Sequence, residues 1–213
     1  MPAIAFTEDF QPEALTPLTV GVVALVRGTV AGQGRIEWDA EATRSTGTFS
    51  TADMDLAAPF GPVEGLATTI EFTDLLGLVS APGQVAQVDL IRAGIDVYDG
   101  VVRYQLRPNY HVQVESAVWP FAGGQLILQP TLLDFSQPST KYLTFQVVGM
   151  DAARFIQQME FSNIAATGTF DGIIPMQFDI RGGRIVGGRL AAPPGECRRR
   201  CWRGRRPHAR WRP

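Results

Sequence analysis

Few residues in this sequence have the types and spacing that chemistry needs. Asp53-x-Asp55 sets two carboxylates two positions apart, which suits a metal pair or an acid–base pair. In an extended strand the same spacing only puts both groups on one polar face. His111 is the one histidine before residue 196, and no nucleophile or base stands where it would enlist it. An exposed histidine is the simpler reading. Gly182-Gly183-Arg184 and Gly187-Gly188-Arg189 resemble phosphate loops, but neither precedes a GK[ST] element or a helical pattern. Tight turns account for them. Trp119-Pro120-Phe121 suits either a membrane-touching tip or a packed strand end, and packing is the safer reading. A glycosidase-type carboxylate pair stays open in principle, although no spacing singles out two of the acids. The chain is therefore expected to be neither catalytic nor metal-binding, and to need no cofactor.

Charge divides the 213 residues unevenly. Residues 196–213, ECRRRCWRGRRPHARWRP, hold one acid, eight arginines, both cysteines and two of the four tryptophans. A solvated basic tail is one reading, and a zinc-like Cys197-x3-Cys201 with His208 is another. The abrupt change of composition, in residues with GC-rich codons, favours a third, a translated frameshift. Such a tail is expected to be disordered. Residues 1–195 keep 20 acids against 11 basic residues, a net −9. An acidic body argues against nucleic acid, which needs clustered Lys and Arg. One histidine and no cysteine exclude Cys/His metal ligation, thiol nucleophiles and disulfides there. No apolar run approaches the ~20 residues that span a bilayer as a helix. Leu18–Val26 lacks the basic flank of a secretory signal, so no export address is expected.

What must position the remaining side chains is a set of strands. Two-residue alternation repeats along the body: Val102 to Leu106, Leu143 to Val147 and Ile174 to Ile180 carry apolar residues at every second position, and Leu66 to Phe72 and Tyr110 to Val118 do so except at Thr68 and Ser116. Asp99-Gly100 and Asp171-Gly172 suit tight hairpin turns with positive φ, and Gly123-Gly124 offers the same freedom. Gly32, Gly34 and Gly65 inside strands would ease sharp curvature. One helix is expected near Asp151–Phe161, with Asp151 as N-cap, and a shorter one near Asp74–Gly77, with Thr73 or Asp74 as its cap. The reading is a lead-in over 1–17, a β-domain over 18–195 and the Arg-rich tail over 196–213. Alternation alone leaves a closed barrel, a sandwich and an open trough as ways to cover the apolar face.

Several phrases narrow this choice. STGTFSTADMDLAAPFGPVEGL (Ser45–Leu66), TTIEFTDLLGL (Thr68–Leu78), WPFAGG (Trp119–Gly124), LLDFS (Leu132–Ser136), TGTFDGIIPM (Thr167–Met176) and GGRIVGGRL (Gly182–Leu190) occur in this order. Together they resemble the C-terminal region of the YdbH-like branch of AsmA-type envelope proteins, which also carries a legacy dicarboxylate-transport label. The resemblance implies a mainly β fold: a strongly curved antiparallel sheet forming an open apolar trough, with one or two short helices. It implies phospholipid acyl chains as ligand and a location in the Gram-negative periplasm or envelope. A small outer-membrane lipoprotein is the implied partner, adding a strand near Ile180–Leu190. The apolar positions expected to line the trough are Ile36, Trp38, Ile70, Phe72, Val88, Leu90, Val102, Tyr104, Leu106, Val112, Val114, Leu126, Leu128, Leu143, Phe145, Val147, Met176, Phe178 and Ile180. No N-terminal anchor is read here, so a C-terminal piece of a longer conduit is expected. Dicarboxylate transport gains little physical support, because the body holds one lysine and scattered arginines where a dianion wants convergent ones. The alternative is a closed β-sandwich serving as a structural or protein-interaction domain.

Overall fold

A computed structural model describes residues 3–93, 95–137, 139–158, 166–179 and 182–193. The strands are β1 (Ala3–Phe6), β2 (Ala24–Trp38), β3 (Thr43–Thr51), β4 (Met54–Ala58), β5 (Gly61–Glu64), β6 (Ala67–Asp74), β7 (Val79–Ser80) and β8 (Gln84–Arg92). They continue as β9 (Asp96–Arg107), β10 (His111–Phe121), β11 (Gly124–Leu128), β12 (Thr131–Asp134), β13 (Lys141–Asp151), β14 (Thr169–Asp179), β15 (Gly182–Ile185) and β16 (Arg189–Ala191). All sixteen belong to one hydrogen-bonded sheet, and every pairing is antiparallel. The expectation of a mainly β, antiparallel protein holds. Two stacked sheets, as in a sandwich, are not what these strands form.

The simple open course of the expected trough needs correction. Pairings among β8, β5, β4, β2, β3 and β6 close into a six-strand circuit through the β6–β8 contact, and further strands extend from β8 to β15. Registers show how the circuit arises. Thr51 pairs with Thr68 and Leu56 with Val63, so β3–β6 and β4–β5 continue one antiparallel ladder. Likewise β8 meets β5 at Ile91↔Val63 and β6 at Gln87↔Ala67, again in one register. Two long strands are each broken at a bend.

The bends fall on one line. Gly28 (φ +139) pairs with Met54, and Met54 exchanges backbone hydrogen bonds with Leu66, beside Gly65 (φ +66). Gly65 abuts the side chain of Asp89. Asp89 lies between the pairs Val88↔Gly100 and Leu90↔Tyr98, opposite Asp99 (φ +54). Asp99-Gly100 is thus a bend inside β9, and Asp171-Gly172 lies inside β14, rather than at hairpin turns. Of these residues only Asp99 takes the expected left-handed φ, at a bend and not at a turn; Asp171 and Gly172 are paired strand residues without positive φ. Gly32 and Gly34 do a different job from the one expected. A Cβ on Gly32 would run into the Phe49 ring, and one on Gly34 would stand 2.7 Å from Leu75.

The helix α1 (Ala152–Gln158) starts where expected, with the Asp151 carboxylate accepting from the Arg154 N–H at 2.8 Å. Its expected continuation through Phe161 lies outside the described residues. At residues 75–78 there is a turn instead of a second helix: Asp74 accepts from the Ser45 hydroxyl (2.7 Å) and the Gly77 N–H (3.1 Å). Those bonds hold the Asp74 carboxyl below the usual carboxylate range, the Ser45 hydroxyl contributing most. The Arg-rich tail also lies outside the described residues.

Candidate functional site

The main core is built from one face of this one sheet. Val63, Val88, Ile91, Val97, Val114, Ala117, Trp119, Phe121, Leu126, Leu128, Leu143, Phe145, Val147, Met150 and Phe178 form a buried cluster contributed by β5, β8, β9, β10, β11, β13 and β14. Residues of one face bury one another only if the sheet curls over itself. Of the expected lining residues, the structure gathers Val88, Val114, Leu126, Leu128, Leu143, Phe145, Val147 and Phe178 into this cluster, with Val102 and Met176 packed against it. Trp119 and Phe121 are part of it, as the packing reading expected.

Other expected lining residues stand elsewhere. Phe72 and Leu90 are buried outside the cluster, Phe72 edge-on to Phe49. Ile70, Leu106 and Val112 are half-buried. Tyr104 is half-buried with its hydroxyl 3.2 Å from the Thr68 hydroxyl, and burial pushes its phenol above the ordinary value. Ile36 and Trp38 are 44% and 76% exposed and are not brought to the rest. Ile180 lies outside the described residues. The bend explains one miss. Across it the inward parity changes, so Ile91, not Leu90, continues the face that Val88 begins, and Val97 continues from Gly100.

The two ends of the curled face differ. At one end α1 closes it: Phe155 packs edge-on to Phe121 with ring centres 6.1 Å apart. The other end is a cavity of about 810 Å³. Its wall joins distant parts of the chain: residues 20–24, the end of β4 and the turn after it with Ala57, Ala58, Pro59 and Phe60, Leu133 of β12 and Phe135 just beyond it, and Leu143, Phe178 and Asp179. The volume sits within the ~300–1,000 Å³ usual for small-ligand sites. Mostly apolar walls suit a hydrocarbon.

Lys141 stands at this mouth. It pairs across the ladder with Phe178 and shares strand parity with Leu143, Phe145 and Val147. Its ammonium donates to the Ser139 hydroxyl at 2.6 Å and lies 5.6 Å from the centre of the Phe135 ring. Nearby, Asp134 accepts from the Ser136 N–H at 2.8 Å; bonding to Ser136, with the charges of His111 and Lys141, holds its carboxyl low. His111, expected to be exposed, is half-buried, with its Nδ1 3.1 Å from the Pro108 carbonyl oxygen. Asp55 accepts from the Gly65 N–H at 3.0 Å, so that acid stabilises a bend. Among the described residues no group of three or more His, Cys, Asp or Glu is placed to hold a metal ion.

Sequence reasoning missed Phe60, Leu133, Phe135 and Lys141. The signal for Lys141 was its parity with Leu143. Phe60 sits in a turn and Phe135 just beyond the end of β12, where alternation says nothing.

The model of the YdbH-like family, described as intermembrane phospholipid transport protein YdbH, matches residues 2–196. No curated protein matches, and no solved structure does.

Proposed function

We propose a function from one premise: the chain belongs to the YdbH-like family of intermembrane phospholipid transport proteins. This segment is a non-enzymatic lipid holder of the Gram-negative envelope, and it takes phospholipid acyl chains against the apolar side of its curled sheet. The observation that carries this is the cavity at the Phe60–Leu133–Phe178 end, apolar and continuous with the buried face. Exposing an acyl chain to water costs about 0.8 kcal/mol per CH2, so two chains in water are out of thermal reach. An apolar wall removes most of that cost and requires no reacting group.

The closed N-terminal circuit and the packed seam limit how much of the face is open. Acyl chains occupy the mouth, and the seam around Val147, Leu126 and Ala117 must part for a chain to travel further. In this reading an open trough would form only when that seam parts. At the far edge β15 and β16 pair with β14 alone among the described strands. An edge strand of this kind would suit a strand-adding partner, for which the resemblance implied a small outer-membrane lipoprotein.

The test is lipid recovery. Protein purified from a lipid-containing extract should carry phospholipid at defined stoichiometry in native mass spectrometry. Leu133→Asp should lower that occupancy severalfold with a circular dichroism spectrum unchanged. A folded wild-type protein that stays lipid-free when offered phospholipid would reject the reading.

A further inference from the structure

Among the cations of the described residues Lys141 has an unusual position. It is the chain's only lysine. It occupies the inward parity of β13, directly across from Phe178, at the point where the apolar face reaches the cavity. Lys141 is half-buried at the end of this oily stripe, so it keeps only part of its water. The chain supplies partial replacement: the Ser139 hydroxyl accepts one of three ammonium donors, and the Phe135 ring faces the charge. Such a group fits one kind of ligand, an anion joined to hydrocarbon.

We propose that Lys141 receives the phosphate of the lipid headgroup at the mouth. The inference rests on the lipid-holding reading above and adds an orientation to it. The phosphate lies against Lys141, Ser139 and the solvent side of Phe135, while the acyl chains run inward past Leu143 and Phe178 towards Phe60. Lys141 thereby selects phosphate-bearing amphiphiles over neutral ones and fixes which end of the lipid enters first.

Dioleoyl phosphatidylglycerol and dioleoylglycerol, each offered in mixed micelles, separate the two ideas, with bound lipid counted by native mass spectrometry. The wild-type chain should take both, the phospholipid more tightly. Lys141→Glu should weaken phosphatidylglycerol binding by about tenfold, the usual scale for losing a charge-assisted contact, and leave dioleoylglycerol unchanged. Lys141→Arg should restore most of the preference. Soluble glycerol phosphate should compete poorly, because it lacks the chains. Equal loss of both lipids in Lys141→Glu, or no loss of either, would overturn the headgroup role while leaving lipid holding intact. Tight binding of glycerol phosphate alone would make Lys141 a general anion site and overturn the lipid assignment. Failure of the wild-type chain to take either lipid would reject the lipid-holding reading and this inference with it.

Discussion

Asp74 shows how a single side chain can be read correctly in type and wrongly in role. Its carboxylate does cap, but it caps a turn and ties that turn to Ser45 on β3. The folded-state pKa is lowered, so Asp74 stabilises the fold above its ordinary value of 3.8, and this is lost as pH falls through the lower folded value. Asp74→Asn should therefore flatten the acid limb of an unfolding curve below about pH 4. An unchanged acid limb would remove the cap from the account. Lys141 teaches the reverse lesson. Its place on the apolar parity was legible from Lys141, Leu143, Phe145 and Val147, but the meaning of a cation there needs the cavity. No pattern in the sequence brings Phe60 to Phe178, since they are joined only by curling of the whole sheet.

At the scale of elements, alternation located the strands because one face is buried and the other wet, and that contrast has period two. It failed where the backbone bends. Gly65 and Asp99 put left-handed residues inside long strands, and the inward set changes parity there. A turn signal and a bend signal use the same residues, so Asp99-Gly100 could not be told apart from a hairpin by composition. Gly65→Ala tests the bend. The left-handed φ and the abutting Asp89 side chain should together cost about 1–2 kcal/mol or somewhat more, measured by urea unfolding. A neutral effect would mean that the bend is not enforced at Gly65. By contrast, the turn at Ala122 (φ +44) and Gly123 (φ +81) joins β10 to β11 as a tight hairpin, as the glycines foretold.

The molecule as a whole is a single sheet whose apolar face is packed along a seam, closed by α1 at one end and hollow at the other. This separates two phenylalanines that sequence treats alike. Phe145 lies in the seam with its ring 6.3 Å from that of Trp119, whereas Phe178 also borders the cavity. Phe145→Ala should cost about 3–5 kcal/mol of stability, as large core truncations do. The central claim, that acyl chains enter the hollow end, is tested most directly by photo-crosslinking. A benzophenone side chain is placed at Phe60 or Leu133 in the wall, or at Tyr142 or Ile173 on the outer face, and the protein is irradiated with labelled phospholipid. The account predicts lipid adducts from the two wall positions and background from the outer two. Adducts from the outer face, with none from the wall, would contradict it.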